Sequence, residues 1–471
     1  MRQLHARQFA VTSSESPPVR FYTTLELAPD RYLHHDPALH LVRTADEVFI
    51  GDLPLFGDDT TLADARKAGG RWALVWPVAK QSAMALLSLY WAGSGDELVV
   101  SSSSSLLAQI VGATRTDLRV SDYRPNWISA PSSGYEGVRR LIRDQMIDMR
   151  SGEVAADPSN QLRPSGDSID ERAATLEQSL RSQLRQASRL GNLKLALTAG
   201  YDSRTLFAAA LAENLEFETY TQSENSPEGG DITTAAALSK QAGVRHHAIG
   251  PGTVNRSAAE LWDAHTGGAV RDADRRFLRR GMFDLFDQDD ILIRGGMFEI
   301  GAEPWESLFP GVNSPEFPES QDFERLVSRA YRLLPLSKSF VLPALQEWRS
   351  YRLTIPSSIG WRDHLYTDQR GSGWLGGIEQ GLGLLEPRSL QLADTSEVID
   401  MMTWEPEDPD HASGREIQKR ALALMDESLL NVPFNPSKSS SRAGEIASIL
   451  ADLARGELRI ARAAVQSRLR A

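Results

Sequence analysis

Residues 195–205 read LALTAGYDSRT, an apolar run that ends in small residues and passes at once into a helix-forming stretch. The run begins upstream as LKLALTAG from Leu193. A short, nearly continuous apolar segment of this kind predicts a strand buried on both faces, as in parallel sheets covered by helices. SRTLFAAALAENL then predicts a helix, FETYTQ a second strand, DITTAAALSKQAG a second helix and HHAIG a third strand. DDILIRGG at Asp289–Gly296 supplies a further buried strand. Strand and helix alternating in this way specify an α/β domain with a doubly wound parallel sheet.

The chain before this region has a different texture. Residues 20–155 carry short apolar runs, among them RWALVWPVAK and LSLYWAGSGDELVVSSS, punctuated by Gly and Asp-Glu turns, and they predict a β-rich domain. AADPSNQLRPSGDS is polar, holds two prolines and reads as a linker. From Ile169 the period becomes helical, with Leu176, Leu180 and Leu184 forming one apolar stripe. The expected division is a β-rich domain over 1–155, a linker over 156–168 and an α/β domain with extra helices over 169–471. There is no internal repeat.

Composition removes whole classes of function. The chain has 471 residues and no cysteine, which excludes disulfides, thiolate metal sites and cysteine nucleophiles. Its net charge of −12 argues against holding nucleic acid through its bulk field. No run approaches the roughly 18 apolar residues of a membrane span, and MRQLHARQFAVTSSESPP lacks the apolar core of a secretory signal. A cytoplasmic protein that contacts neither membrane nor nucleic acid is expected.

The turn between strand and helix at Thr198–Ser203 suits an anion. A helix N-terminus offers unpaired N–H groups and the positive end of its dipole. Gly200 permits close backbone approach, Thr198 and Ser203 carry hydroxyls, and Asp202 supplies a carboxylate able to hold Mg²⁺ beside phosphates. The alternative is an ordinary strand–turn–helix junction with Asp-Ser as the helix cap.

TAGYDS resembles the SGGxDS loop of the ATP-pyrophosphatase group, with Thr198 for the first Ser and Ala199 for the first Gly. Over most of its length the chain resembles asparagine synthetases and their relatives, the β-lactam synthetases and lasso-peptide cyclases. GRWALVWPV and GDELVVSSSSSLLAQIVG look like that family's N-terminal Ntn-type sandwich, and GVRRLIRDQMIDMRSGEV like its exit from that domain. LIRGGMFEI is similar to a strand ending in S-G-x-G-x-D-E, with Glu299 at the position of the metal-binding aspartate. DHLYTDQRGSGW followed by LLEPRSLQLAD resembles a run ending E-x-R-x-P-F-L-D. Glu386 and Arg388 fit E-x-R, and the P-F-L is lost. Lys438 in PFNPSKSSSR resembles the late lysine of the β-lactam synthetases.

The resemblance implies a degenerate amidotransferase-like sandwich followed by an ATP-pyrophosphatase domain, with ATP and Mg²⁺ as cofactors. It implies nucleotide contacts at Thr198, Ala199, Gly200, Tyr201, Asp202, Ser203, Thr221 and Gly295, and metal ligation by Asp202 and Glu299. Glu386 is the implied base that deprotonates an attacking amine, Tyr366 its orienting partner, and Lys438 the cation meeting transition-state charge. Glutaminase members use an N-terminal cysteine, so this chain is expected to release no ammonia from glutamine. The implied activity is AMP-forming amide synthesis, in which a carboxylate substrate is adenylated and joined to an amine of a peptide or small molecule. Y-x-x-Q-R-x-x-x-W at Tyr366–Trp374 leans toward the lasso-type, peptide-forming members. A degenerate nucleotide-binding scaffold of the same fold is the alternative.

Three further features carry plainer readings. His246 and His247, adjacent on a strand, point to opposite faces and read as structural rather than as a metal pair. DADRRFLRR at 272–280 reads as a solvated helical face. GELRIARAAVQSRLRA reads as a basic amphipathic helix packed on the body, with binding of a partner protein or precursor peptide as the lesser alternative.

Overall fold

The computed structural model describes residues 2–52, 67–116, 127–222, 230–250, 256–270, 280–302, 309, 313–333, 335–404 and 414–434. The C-terminal GELRIARAAVQSRLRA segment, residues 272–279 of the charged run and residues 304–308 and 310–312 of the Pro-rich stretch lie outside the described residues.

Two six-stranded antiparallel sheets form the N-terminal half. The first runs, edge to edge, through Arg139–Arg140, Tyr90–Ala92, Val99–Ser101, Phe9–Thr12, Arg31–His35 and Thr23–Ala28. The second runs through Val154–Ala156, Gln145–Asp148, Val78–Gln81, Arg71–Trp76, Val48–Asp52 and His40–Arg43. Phe9, Val11, Leu33 and Val100 of the first sheet meet Ile50, Ala73, Val75 and Ile147 of the second in one buried cluster. This is the interdigitated core of a sandwich.

The last sandwich strand ends at Ala156, and helix α1 (Ile169–Ala187) starts behind a capping box formed by Ser168 and Glu171. The segment between them is more firmly held than its polar composition suggests. Asn160 is buried, donating to the carbonyls of Ser82 and Arg143, and Arg172 donates to Asp167 and Ser165. Leu176, Leu180 and Leu184 are fully buried, as their spacing predicts.

The C-terminal half is built on a five-stranded parallel sheet: β1 (Asn192–Ala196), β2 (Phe217–Gln222), β3 (His246–Ile249), β4 (Asp290–Ile293) and β5 (Arg388–Leu390). Their spatial order is β3-β2-β1-β4-β5, and every pairing is parallel. Leu193, Leu195, Ile291 and Ile293 face a core shared with α1 and with α2 (Tyr201–Ala212). Tyr220 and Leu292 face a second core containing Trp262, Ile378 and Leu382. The sheet is thus covered on both faces, as the apolar residues of its central strands require. His247 pairs with Glu218 at 2.8 Å while His246 bonds Thr219 at 2.9 Å, so the adjacent histidines do separate structural work. Among the described residues no helix is long and apolar enough to cross a membrane.

Candidate functional site

The strand order reverses between β1 and β4: β2 and β3 extend to one side of β1, and the chain returns to the other. In open α/β sheets the carboxyl ends of strands at such a reversal form a crevice where ligands bind. The loop after β1 is Leu197–Gly200, and the loop after β4 contains Gly295. They approach so closely that a Cβ on Gly295 would lie 3.0 Å from the backbone of Asp202. Only glycine fits there without displacing the first turn of α2.

The β1–α2 loop is braced from within. Thr198 N donates to Ser203 Oγ at 2.9 Å, the two hydroxyls lie 3.0 Å apart, and Gly200 N donates to Thr198 Oγ1 at 3.2 Å. Ala199 N donates to Asp231 Oδ1 at 3.1 Å. Gly200 is the cap of α2, and no side chain at the cap accepts from the first turn. Asp202 and Ser203 therefore lie inside the helix, which removes the ordinary Asp-Ser cap. The first-turn N–H groups form the kind of helix terminus that receives anions. Thr221 is buried, and its hydroxyl donates to the Leu197 carbonyl, so it supports the loop from beneath.

Asp202 and Glu299 come from the two loops and are partly buried, with side chains 25% and 33% exposed. Burial raises the Asp202 pKa, and the nearby Glu299 charge adds to the rise against Gln418 and Arg415. Gln418 Nε2 donates to Asp202 Oδ1 at 3.0 Å, and Arg415 lies 3.7 Å from the same oxygen. Glu299 Oε2 accepts from the Tyr366 hydroxyl at 3.1 Å and from Arg370 at 2.9 Å. Burial, then Glu299, holds the Tyr366 pKa well above its ordinary value, so this phenol is a donor at neutral pH. Burial opposes the Arg370 charge, and Glu299 and Tyr366 outweigh it, leaving its pKa raised.

Tyr366 and Arg370 lie on a ten-residue π-helix, Tyr366–Leu375. Such segments are rare and frequently occur at functional sites. Just after β4, Arg294 is anchored on the buried Glu379 at 2.7 Å, and Glu379 also accepts from Gln391 at 2.8 Å. On the loop's other flank, Tyr201 stacks on Phe434 with ring centroids 3.8 Å apart. Arg204 donates to the carbonyls of Leu429, Val432 and Pro433.

The fold thus gathers Thr198, Ala199, Gly200, Tyr201, Asp202, Ser203, Gly295, Glu299 and Tyr366 at one end of the sheet. Glu386 is not among them. It lies just before β5, whose Arg388 pairs with Ile291 near the amino end of β4. It is 44% exposed and pairs with Arg2 at 3.5 Å. The length of β5 separates it from the loops, so the fold does not bring it together with the other expected site residues. Lys438 lies outside the described residues. Arg370, Arg415, Gln418 and Asp231 belong to the site without having been singled out in the sequence. Only Arg370, four residues after Tyr366 in the Y-x-x-Q-R stretch, had a local signal.

No family model matches the sequence, and no curated protein matches it. Similar solved structures include glutamine phosphoribosylpyrophosphate amidotransferase from B. subtilis complexed with ADP and GMP, at 10% identity and a TM-score of 0.18, covering 69% of this chain and 73% of that one. Another is described as the allosteric regulatory enzyme of purine biosynthesis, at 11% identity and a TM-score of 0.18, covering 69% and 72%. Likeness at this level carries no argument about this chain.

Proposed function

We propose that the protein is an ATP-dependent, AMP-forming amide synthetase that activates a substrate carboxylate and joins it to an amine without hydrolysing glutamine. In this reading the parallel-sheet half is an ATP-pyrophosphatase domain, and the sandwich is an Ntn-type domain without a thiol nucleophile. The observation that carries the proposal is the uncapped α2 terminus at the strand-order reversal, with Asp202 and Glu299 converging from the loops after β1 and β4.

Among the described residues no cluster of three or more potential metal ligands exists. Mg²⁺ is commonly held by one or two carboxylates together with substrate phosphates and water, so two converging carboxylates suit a metal that arrives with a nucleotide. Asp202 and Glu299 would hold it, and bound Mg²⁺ would neutralise phosphate charge. The first-turn amides of α2 receive phosphate oxygens. Arg370 and Arg415 supply fixed positive charge, and the Tyr366 hydroxyl a neutral donor, where negative charge develops. Displacement of pyrophosphate by a carboxylate leaves an acyl-adenylate, and amine attack then releases AMP.

The products test the proposal. Incubation with ATP, Mg²⁺ and panels of carboxylates and amines is expected to yield AMP and pyrophosphate with an amide. Added glutamine is expected to yield no glutamate. ADP and phosphate as products would contradict the proposal. The second reading, a nucleotide-binding scaffold, is favoured by one observation: Asp202 and Glu299 already have Arg415 and Arg370 as counter-charges. It gains if nucleotide binds and no combination releases pyrophosphate.

A further inference from the structure

We propose that a second cleft binds a free α-amino acid whose side chain is apolar along its length and polar at its tip, tyrosine being the representative. The cleft lies between residues 128–139 of the sandwich half and the helix Pro335–Arg352, and it encloses about 330 Å³. That volume is at the lower end for small-molecule sites. It shares no lining residue with the Asp202–Glu299 cluster, so the inference stands apart from the proposed synthetase activity.

Three features define the occupant. Ile128, Pro131, Val138, Phe340 and Ala344 form an apolar wall, and Phe340 remains 43% exposed. Ser129 also lines the cleft, is only 2% exposed, and its Oγ has no hydrogen-bond partner. An orphaned buried hydroxyl destabilises the folded protein unless something completes its bond. Arg139 and Glu347 also line the cleft; they pair with each other, with side chains 42% and 52% exposed.

Arg139 and Glu347 are the exposed charged members of the lining, and Ser129 is its buried polar one. Adjacent opposite charges at an apolar opening match a zwitterion, the ligand carboxylate meeting Arg139 and its ammonium meeting Glu347. An exposed ion pair contributes little by itself, so trading it for ligand charges costs little. The ligand body then covers Phe340, and a polar tip reaches Ser129.

The cleft is also tied to the π-helix. Ala130, between Ser129 and Pro131, is held at both backbone groups by Gln369, with Ala130 N donating to Oε1 at 2.9 Å and Nε2 donating to Ala130 O at 3.1 Å. Gln369 neighbours Arg370 of the first site.

Calorimetric titration of the full chain with tyrosine, phenylalanine and N-acetyltyrosine amide tests the inference. Tyrosine is expected to bind more tightly than phenylalanine, and the blocked amide not at all. R139A and E347A, at exposed positions, are each expected to weaken tyrosine binding by about tenfold or more, or about 1.4 kcal/mol. S129A is expected to abolish the preference for tyrosine while phenylalanine still binds. Absence of binding by both amino acids at millimolar concentration would overturn the inference. So would equal binding of the blocked amide, or binding indifferent to both R139A and E347A. Mg-ATP titration of the same variants, expected to be unchanged, separates this outcome from failure of the nucleotide reading.

Discussion

Asp202 is the most informative single position, because its environment is unfavourable to its own charge. Burial and Glu299 both raise its pKa, and Gln418 and Arg415 only partly compensate. A divalent cation between the two carboxylates would relieve that repulsion. Asp202→Asn is therefore expected to lower Mg-ATP affinity about tenfold or more, with little change in thermal stability, as read by calorimetry and melting. Asp394 offers a test away from the site. It is buried, accepting from Met84 N at 2.7 Å and Ser82 Oγ at 2.8 Å, and burial pushes its pKa up to about 7. The folded state keeps this proton while the unfolded chain has released it. The group's contribution to stability is therefore full below about pH 4 and falls by on the order of 4 kcal/mol up to about pH 7. Asp394→Asn can keep both hydrogen bonds and is expected to flatten that part of the stability-versus-pH curve, measured by urea unfolding. An unchanged slope would show that Asp394 does not carry it. Thr198, Gly200, Asp202 and Ser203 were legible in the sequence because their spacing is local to one turn. Arg415 and Gln418 were not, because more than 200 residues separate them from the carboxylate they touch.

The same contrast holds for whole elements. The stripe Leu176, Leu180 and Leu184 and the Leu193, Leu195 and Leu197 of the apolar run that follows declare their partners through periodicity, and all six are buried. Glu386 stands apart from the other expected residues because a motif gives composition but not strand direction. In a parallel sheet, the residue before β5 and the residues after β1 lie at opposite ends. The π-helix was equally illegible, since its i+5 bonding leaves no mark in a helical apolar pattern. Its glycines explain its seat: a Cβ on Gly373 would lie 2.7 Å from the Trp127 ring. Gly373→Val is expected to displace the π-helix from the sandwich and destabilise the protein by about 1–3 kcal/mol through overpacking. Because Tyr366 and Arg370 ride on the same element, Mg-ATP affinity should fall with it. A variant that melts lower yet binds nucleotide unchanged would separate the π-helix from the site.

The two halves are joined by buried charge. Arg143 and Asp144 follow the Arg139–Arg140 strand of the sandwich, and they meet Asp368 of the π-helix and Arg352 in the other half. Arg143 lies 3.1 Å and Arg352 Nε 2.7 Å from Asp368, and Arg352 also bonds Asp144 at 2.7 Å. All four side chains are buried to within 2% of full exclusion from solvent. Removing one member leaves an uncompensated charge in the interior, so Asp368→Leu is expected to cost about 3–5 kcal/mol in urea unfolding. A cost under about 1 kcal/mol would contradict a unified core. This arrangement makes the sandwich a support that holds the π-helix against the crevice. The central claim remains that this crevice receives a nucleotide. Calorimetric titration with ATP, with and without Mg²⁺, tests it most directly. The account predicts Mg²⁺-dependent binding worth about −4 to −8 kcal/mol, millimolar to micromolar, weakened in Asp202→Asn. Absence of binding with or without metal, or equal affinity in the variant, would contradict it.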